Sequence, residues 1–356
     1  MKLLLSAVEA SGDRLGAELI QALRRRDPTI ELVGIGGPEM VAAGLRMLPA
    51  AVPPVPAMGL VELLHHLGSI RQNRRALEDA IADRPDRFVG IDAPDFHLPL
   101  LATARRRGVP AIGYVAPQVW AWRPGRAATV AQQVDRLLCL FPFEPSIFPG
   151  LDARWIGHPA VERVAAGDRR PAGGCLAVIP GSRPAEIRRL WPVFREVARN
   201  SDATRILLPL APGRDAAEFG TLPPRTELVD SSVVLAQADY ALSKSGTVTL
   251  ELALASIPTI VAHRVHPLTW LLGRLLVRGV RHLALPNLLL DRQQSQATGP
   301  DAPVPEFLQH FTANQLLQAL QQRLRPPPAE FLRHLLTVPN DARTVAERAA
   351  AAVLAP

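Results

Sequence analysis

The chain alternates two kinds of hydrophobic pattern. Short continuous apolar runs at Lys2–Val8, Glu31–Gly34, Phe88–Ile91, Ala111–Val115 and Leu137–Phe141 are closed by Pro, Gly or polar turn residues and read as buried strands. Between them lie stretches of helical spacing. Gly12–Arg26 places Leu15, Leu19, Ile20 and Leu23 on one face, and a shorter helix is predicted near Glu39–Ala43. Continuous apolar strands separated by helices predict a parallel sheet covered on both faces. After a Gly/Pro-rich stretch at 167–174 the alternation restarts, with strands at Cys175–Ile179, Arg205–Pro209, Ala238–Leu242 and Thr259–His263 and a helix over Thr247–Ala255. The fold class predicted is α/β, with two doubly wound Rossmann-like halves at 1–167 and 168–336. In the remaining segment, 337–356, an Ala-rich helix over Asp341–Leu354 is expected to pack back on the first half or on a partner subunit, the latter making a homodimer.

Composition narrows the classes. At 356 residues the chain exceeds one ordinary core, and 48% hydrophobic with 21% charged residues is the balance of a soluble globular protein. Lys+Arg 40 against Asp+Glu 33 gives a formal charge of +7, which suits anionic small molecules or an anionic membrane surface. Nucleic acid is not expected as a partner, since the basic residues form no arm, no zinc-finger spacing and no aromatic RNA-binding strand. Cys139 and Cys175 sit in apolar strand contexts, as buried free thiols of a reducing compartment do. No run reaches the roughly 18 apolar residues of a transmembrane helix. The longest candidate, Leu268–Leu290, is broken by Arg274, Arg278 and Arg281, and the first apolar run leads straight into a turn, with no cleavage site. A cytoplasmic chain is expected. The segment Gly59–Ile70, with Leu60, Val61, Leu63, Leu64, Leu67 and Ile70 followed by Arg71, Arg74 and Arg75, fits either a core helix or one docked on an anionic membrane.

Candidate chemistry gathers at strand-to-helix turns. In the second half Pro180-Gly181-Ser182-Arg183 and Ser243-Lys244-Ser245-Gly246-Thr247 each follow a strand and open a helix, the place where a doubly wound sheet binds ligands. Backbone N–H groups there attract a diphosphate, Gly246 permits close approach, Ser245 and Thr247 add hydroxyls, and Arg183 can pair with phosphate oxygens. Glu251, one turn inside, is placed for ribose hydroxyls. Plain helix capping by Ser and Thr is the competing explanation. In the first half Glu9-Ala10-Ser11-Gly12-Asp13 and Phe88–Phe96 bring carboxylates to the rim that faces the second half across a cleft. Asp92 is the candidate general base, while Asp95 reads as a helix N-cap. Trp120, Trp122 and Arg123 can stack on a sugar and hold an anion, or simply pack, and His158 lines the cleft or closes a turn. No D-x-D pair and no metal-ligand spacing occurs, so no metal and no cofactor are expected. Nor is there a G-x-S-x-G elbow or a G-x-G-x-x-G loop.

Taken in order along nearly the whole chain, EASGD (9–13), AMGLVE (57–62), FVGIDAPDF (88–96), the V-W-A-W core of 114–123, FPFE (141–144), IGHP (156–159), PGSR (180–183), SGT..LE (245–251) and LPNLL (285–289) resemble the lipid-A-disaccharide synthase family. The resemblance implies a GT-B fold with the active site between two Rossmann-like domains. It implies an inverting, UDP-sugar-dependent glycosyltransferase that joins UDP-2,3-diacylglucosamine to 2,3-diacylglucosamine 1-phosphate (lipid X) through a β-1,6 linkage. It matches Asp92 to the base, and Ser182, Arg183, Ser245, Gly246, Thr247, Glu251 and Asn287 to donor binding. Glu9, Ser11, Asp13, Trp122, Arg123 and His158 fall on the acceptor side or in the cleft. It further implies a site peripheral to the cytoplasmic face of the inner membrane. The chain departs from the family pattern at Val8, at His263 and over 291–303, after which Pro305-Glu306 comes late. On the same fold a UDP-sugar epimerase, or a binding protein without activity, is the alternative.

Overall fold

The computed structural model describes residues 1–49, 51–52, 60–122, 124–164, 170–210, 215–267, 270, 282–294, 304–322 and 324–356, without the side chains of 60–66, 121, 122, 124, 293 and 294. The chain divides into two compact units, Met1–Pro159 with Leu336–Pro356, and Ala160–Leu335.

The first unit runs β1 (Lys2–Ala7), α1 (Ala10–Arg26), β2 (Glu31–Ile35), α2 (Pro38–Ala42), β3 (Arg46–Met47), α3 (Leu60–Ala82), β4 (Arg87–Ile91), α4 (Pro94–Arg106), β5 (Ala111–Tyr114), α5 (Val119–Trp122), α6 (Ala127–Gln133), β6 (Arg136–Cys139) and β7 (Asp152–Trp155). Its strands form one parallel sheet in the order β3-β2-β1-β4-β5-β6-β7. Side chains alternate across the pleat. Leu3 and Leu5 therefore join α1 in one core, while Leu4 joins α3 and α4 in another. Both faces are covered, which explains why the strands read as unbroken apolar runs rather than as alternating ones.

The second unit follows with α7 (Ala160–Arg163), β8 (Cys175–Ile179), α8 (Pro184–Asn200), β9 (Arg205–Pro209), β10 (Thr226–Val229), α9 (Ser231–Gln237), β11 (Tyr240–Lys244), α10 (Val248–Leu254), β12 (Thr259–His263), α11 (Leu285–Gln294), β13 (Glu306–Leu308), α12 (Ala313–Gln321) and α13 (Ala329–Leu336). Its parallel sheet is ordered β10-β9-β8-β11-β12-β13. Trp191, Phe194 and Val197 of α8 pack with Leu316 of α12 on one face of it. β11 ends two residues later than the sequence pattern predicts. The Asp239 carboxylate accepts the Cys175 N–H at 2.8 Å, Ser243 pairs with Ile179 of β8 and Lys244 pairs with Ala262 of β12, so both belong to the strand. Cys139 and Cys175 are buried free thiols.

The chain then returns to the first unit as α14 (Val345–Leu354), whose start is a Thr344/Glu347 capping box. This helix lies against α1 of its own chain, through Ala349, Ala350 and Val353. The carbonyls at its end have no intrahelical partner. Arg136 satisfies them, donating to Ala352 O at 2.6 Å and Ala355 O at 3.0 Å. Arg348 reaches from the helix to Ile156 O at 2.7 Å.

Asp13 has a structural task in place of the ligand-facing one expected of it. Only 5% exposed, its carboxylate accepts the backbone N–H groups of Gly37 (2.7 Å), Glu39 (3.0 Å) and Met40 (3.1 Å) and so caps the start of α2 from α1. Replacing Asp13 with Ala strands three donors in a closed space. The expected result is a loss of about 2–4 kcal/mol of stability, measured as a shift in the urea unfolding midpoint, with UDP affinity unchanged.

Candidate active site

Both sheets reverse their strand order once, between β1 and β4 in the first unit and between β8 and β11 in the second. At such a reversal the two outgoing loops diverge to opposite faces and leave the carboxyl ends of the strands open to a ligand. Ser11 and Asp92 fall at the first of these places, and Ser182, Arg183, Ser245, Gly246 and Thr247 at the second.

In the first unit the turn after β4 carries Asp92. Two successive residues take left-handed backbone there, Asp92 at φ +56° and Ala93 at φ +43°, a conformation that costs free energy for side chains other than Gly. Three hydrogen bonds hold it. Asp92 N–H donates to Tyr114 O at 2.8 Å, Ser11 Oγ donates to the Asp92 carboxylate at 2.8 Å, and His97 Nδ1 lies 2.7 Å from Asp92 O. The other ring nitrogen of His97 is 2.9 Å from Ser6 Oγ. A carbonyl only accepts, so Nδ1 carries the proton and Nε2 accepts from Ser6. Gly12 makes the approach of α1 possible, because a Cβ there would lie 3.1 Å from Ile91 O and 3.4 Å from the Asp92 Cβ. The Asp92 side chain itself is half-buried. Sequence reasoning did not find Ser6 or His97, whose link becomes visible only once β1 and α4 are packed.

Other first-unit candidates are dispersed. Glu9 is the N-cap residue of α1, and its carbonyl accepts Asp13 N–H at 2.8 Å. Asp95 is not the N-cap of α4. That position is Ala93, and Asp95 stands in the first turn 3.4 Å from Arg126. Trp120 is buried, with Nε1 donating to Glu144 at 3.2 Å and its ring edge-on to Phe143. The second Glu144 oxygen accepts Leu140 and Phe141 N–H at 3.0 Å each. The V-W-A-W and FPFE segments thus bind each other, with Trp120 as packing. The Trp122 side chain and all of Arg123 lie outside the described residues. His158 is 4% exposed and stacks on Phe141 at 5.4 Å.

In the second unit β8 and β11 are neighbours, so the turns after them are adjacent. Gly181 has φ +115°, a conformation open to Gly alone at little cost, and Ser182 beside it is exposed. Arg183 is the N-cap residue of α8, and its guanidinium lies 3.5 Å from Glu186. The same carboxylate oxygen of Glu186 is 2.8 Å from Lys244 Nζ. Ser245 Oγ donates to Leu283 O at 2.8 Å, and Thr247 is exposed at the N-cap of α10. Glu251, 14% exposed, faces Arg163 at 3.7 Å. Asn287 is 1% exposed and engaged at both ends of its amide. Nδ2 donates to Val304 O (2.7 Å) and Glu306 (2.8 Å), and Oδ1 accepts Val304 N–H (3.2 Å). Glu306 also accepts Leu283 N–H at 2.7 Å and Ala284 N–H at 3.2 Å, closing the start of α11.

Among the described residues no helix is long and apolar enough to cross a membrane. The Leu268–Arg281 segment lies outside them apart from Trp270, as do the side chains at the start of α3.

Residues 3–323 match the family model described as lipid-A-disaccharide synthetase. The lipid-A-disaccharide synthase of Alkalilimnicola ehrlichii is 41% identical over 86% of this chain and 87% of that protein. That of Neisseria meningitidis serogroup A is 37% identical over 92% and 88%. Among solved structures, a glycosyltransferase of kitacinnamycin superposes with TM-score 0.62 at 20% identity, over 99% of this chain and 98% of the other. The calicheamicin glycosyltransferase gives 0.56 at 17%, over 99% and 94%. A UDP-GlcNAc 2-epimerase of Methanocaldococcus jannaschii gives 0.60 at 12%, over 99% of each. These structural likenesses carry the fold, which is GT-B with two Rossmann-like domains.

The His97 geometry has a pH signature. Burial holds this imidazole at about 4, below its ordinary 6.5, against the smaller opposing pull of the Asp92 carbonyl and charge. Between those values the unfolded chain takes up a proton that the folded chain refuses. Stability is therefore complete above pH 6.5 and falls as the pH drops towards 4, by up to roughly 3 kcal/mol. Urea unfolding of the wild type and of His97→Gln from pH 7.5 to 4.5 checks this. The loss attributable to His97 should be missing in the variant.

Proposed function

The chain belongs to the lipid-A-disaccharide synthase family, and we propose that it transfers 2,3-diacylglucosamine from UDP-2,3-diacylglucosamine to 2,3-diacylglucosamine 1-phosphate, forming a β-1,6-linked disaccharide 1-phosphate and UDP. The match of residues 3–323 to the family is the observation that carries this reading. A sugar hydroxyl is a weak nucleophile, and in a single inverting displacement it needs one base. Asp92 takes the proton of the acceptor 6-hydroxyl as its oxygen bonds to the donor C1, and the C1–phosphate bond breaks with its electron pair leaving on UDP. Ser11 orients the carboxylate, and the His97 bond to the Asp92 carbonyl keeps the strained turn in place.

The departing diphosphate is met on the second unit by Arg183, by the backbone around Gly181, Ser245 and Gly246, and by the hydroxyls of Ser182 and Thr247, while the Ser245 hydroxyl is turned to Leu283 O. Charge-assisted and backbone donors of this kind stabilise a developing anion with no metal required of them. Glu251 takes the ribose. Asn287 acts at one remove, by fixing the start of α11 beside Leu283. Both substrates carry acyl chains, which supports work at the cytoplasmic face of the inner membrane with the chain peripheral to it. The apolar and basic sequence of α3 and the charge of +7 suit that surface. The likeness to a UDP-GlcNAc 2-epimerase is one of fold, and family membership favours transfer over epimerisation.

Purified protein given both substrates should release UDP in step with disaccharide formation, while UDP-sugar alone stays unepimerised. Absence of turnover across a range of acyl lengths would sink the assignment. Asp92→Asn should keep UDP affinity and lower kcat by roughly 10²–10⁴-fold. Full activity in that variant removes Asp92 from the base role.

A further inference from the structure

We propose that Lys244 is a diphosphate-binding residue of the donor site, held over Gly246 by Glu186, whose carboxylate stands in for the anion until a nucleotide arrives. The proposal rests on the reading that the second unit takes a UDP-linked donor. Lys244 ends β11, and its ammonium folds back over the turn that follows. A Cβ placed on Gly246 would meet Lys244 Nζ at 3.5 Å. From there it reaches across to the neighbouring turn, 2.8 Å from the Glu186 carboxylate, with the two side chains 17% and 15% exposed.

Glu186 lies in the first turn of α8, where a negative charge is favourable. Its other oxygen sits directly on the Gly181 turn, since a Cβ at Gly181 would come within 2.4 Å of it. The carboxylate therefore occupies the place where the glycine turns offer room for an anion. That oxygen is buried and makes no hydrogen bond among the described residues. A buried carboxylate oxygen without a donor is costly, so moving it aside for a better-placed anion loses little. Arg183 approaches the same carboxylate at 3.5 Å. Two cations share one carboxylate, and an ammonium with three donors has capacity left for phosphate oxygens. Burial, and next the charge of Lys244, hold His263 at the end of β12 below its usual range, so it adds no further charge near neutral pH.

Isothermal titration of uridine, UMP and UDP into the full chain and its variants tests this. Lys244→Gln should weaken UDP about 10-fold or more and uridine by less than about twofold, with Lys244→Arg recovering most of the loss. Glu186→Gln keeps the shape and removes the competing charge, so UDP should bind more tightly than to the wild type. The proposal fails if Lys244→Gln binds UDP like the wild type, or loses uridine to the same extent. It also fails if Glu186→Gln weakens UDP as Lys244→Gln does, because the pair is then a structural staple. The titrations do not depend on turnover. A wild type that splits UDP from uridine in this way yet forms no disaccharide keeps this inference and loses the transferase reading. A wild type that turns over beside an unaffected Lys244→Gln does the reverse.

Discussion

A strand, a crossover and a second parallel strand close almost only in the right-handed sense. A sheet that is to carry helices on both faces must therefore reverse its direction of growth once, and the rest of this structure depends on that reversal. β1 and β4 become neighbours although 79 residues separate their ends and starts by way of α1, α2 and α3, and β8 and β11 become neighbours in the same manner. At each reversal the loops part, and short polar segments can stand at the strand ends with no helix crossing over them. Ser11 meets Asp92 across one reversal and Lys244 meets Glu186 across the other.

The two reversals are furnished with opposite chemistry. In the first unit a carboxylate is oriented by a hydroxyl, and its backbone is anchored by a neutral imidazole that burial prevents from charging. A hydroxyl donor fixes the direction of the carboxylate without placing a charge beside it. In the second unit two cations share one carboxylate and glycine turns leave room at the backbone. The first setting suits the proposed base and the second the proposed site of the leaving diphosphate.

The turns were legible in the sequence because each is local: an apolar run, then Gly, Ser or a carboxylate, then helical spacing. Asp92, Arg183 and the Ser245–Thr247 segment were placed correctly at strand ends for that reason. What stayed hidden was pairing across long separations. Glu144 binds Trp120 from 24 residues away, and His97 binds Ser6 from 91. Residue type alone gave no hint that Asp13, an acidic residue in the same pentapeptide as Ser11, turns inward to cap α2. The short β3 and the polar edge strands β7 and β10 were missed too, since two to four residues at a sheet edge carry little hydrophobic pattern. β11 ran on to Lys244 because pairing with β12, where Lys244 lies opposite Ala262, and not composition, decides where the strand stops.

The late Pro305-Glu306 shows why spacing along the chain is a poor guide to what a site retains. β13 pairs in parallel with β12, with Glu306 opposite Val261, and this pairing brings the Glu306 carboxylate to the start of α11. There it receives the N–H groups of Leu283 and Ala284 and the amide of Asn287. Leu283 in turn offers its carbonyl to Ser245. The position of the Ser245 hydroxyl is thus tied, through a chain of bonded neighbours, to a strand at the sheet edge that follows the unusual polar stretch. Sheet register sets the contact, so the length of the preceding connection is free to vary without displacing Ser245 and Asn287.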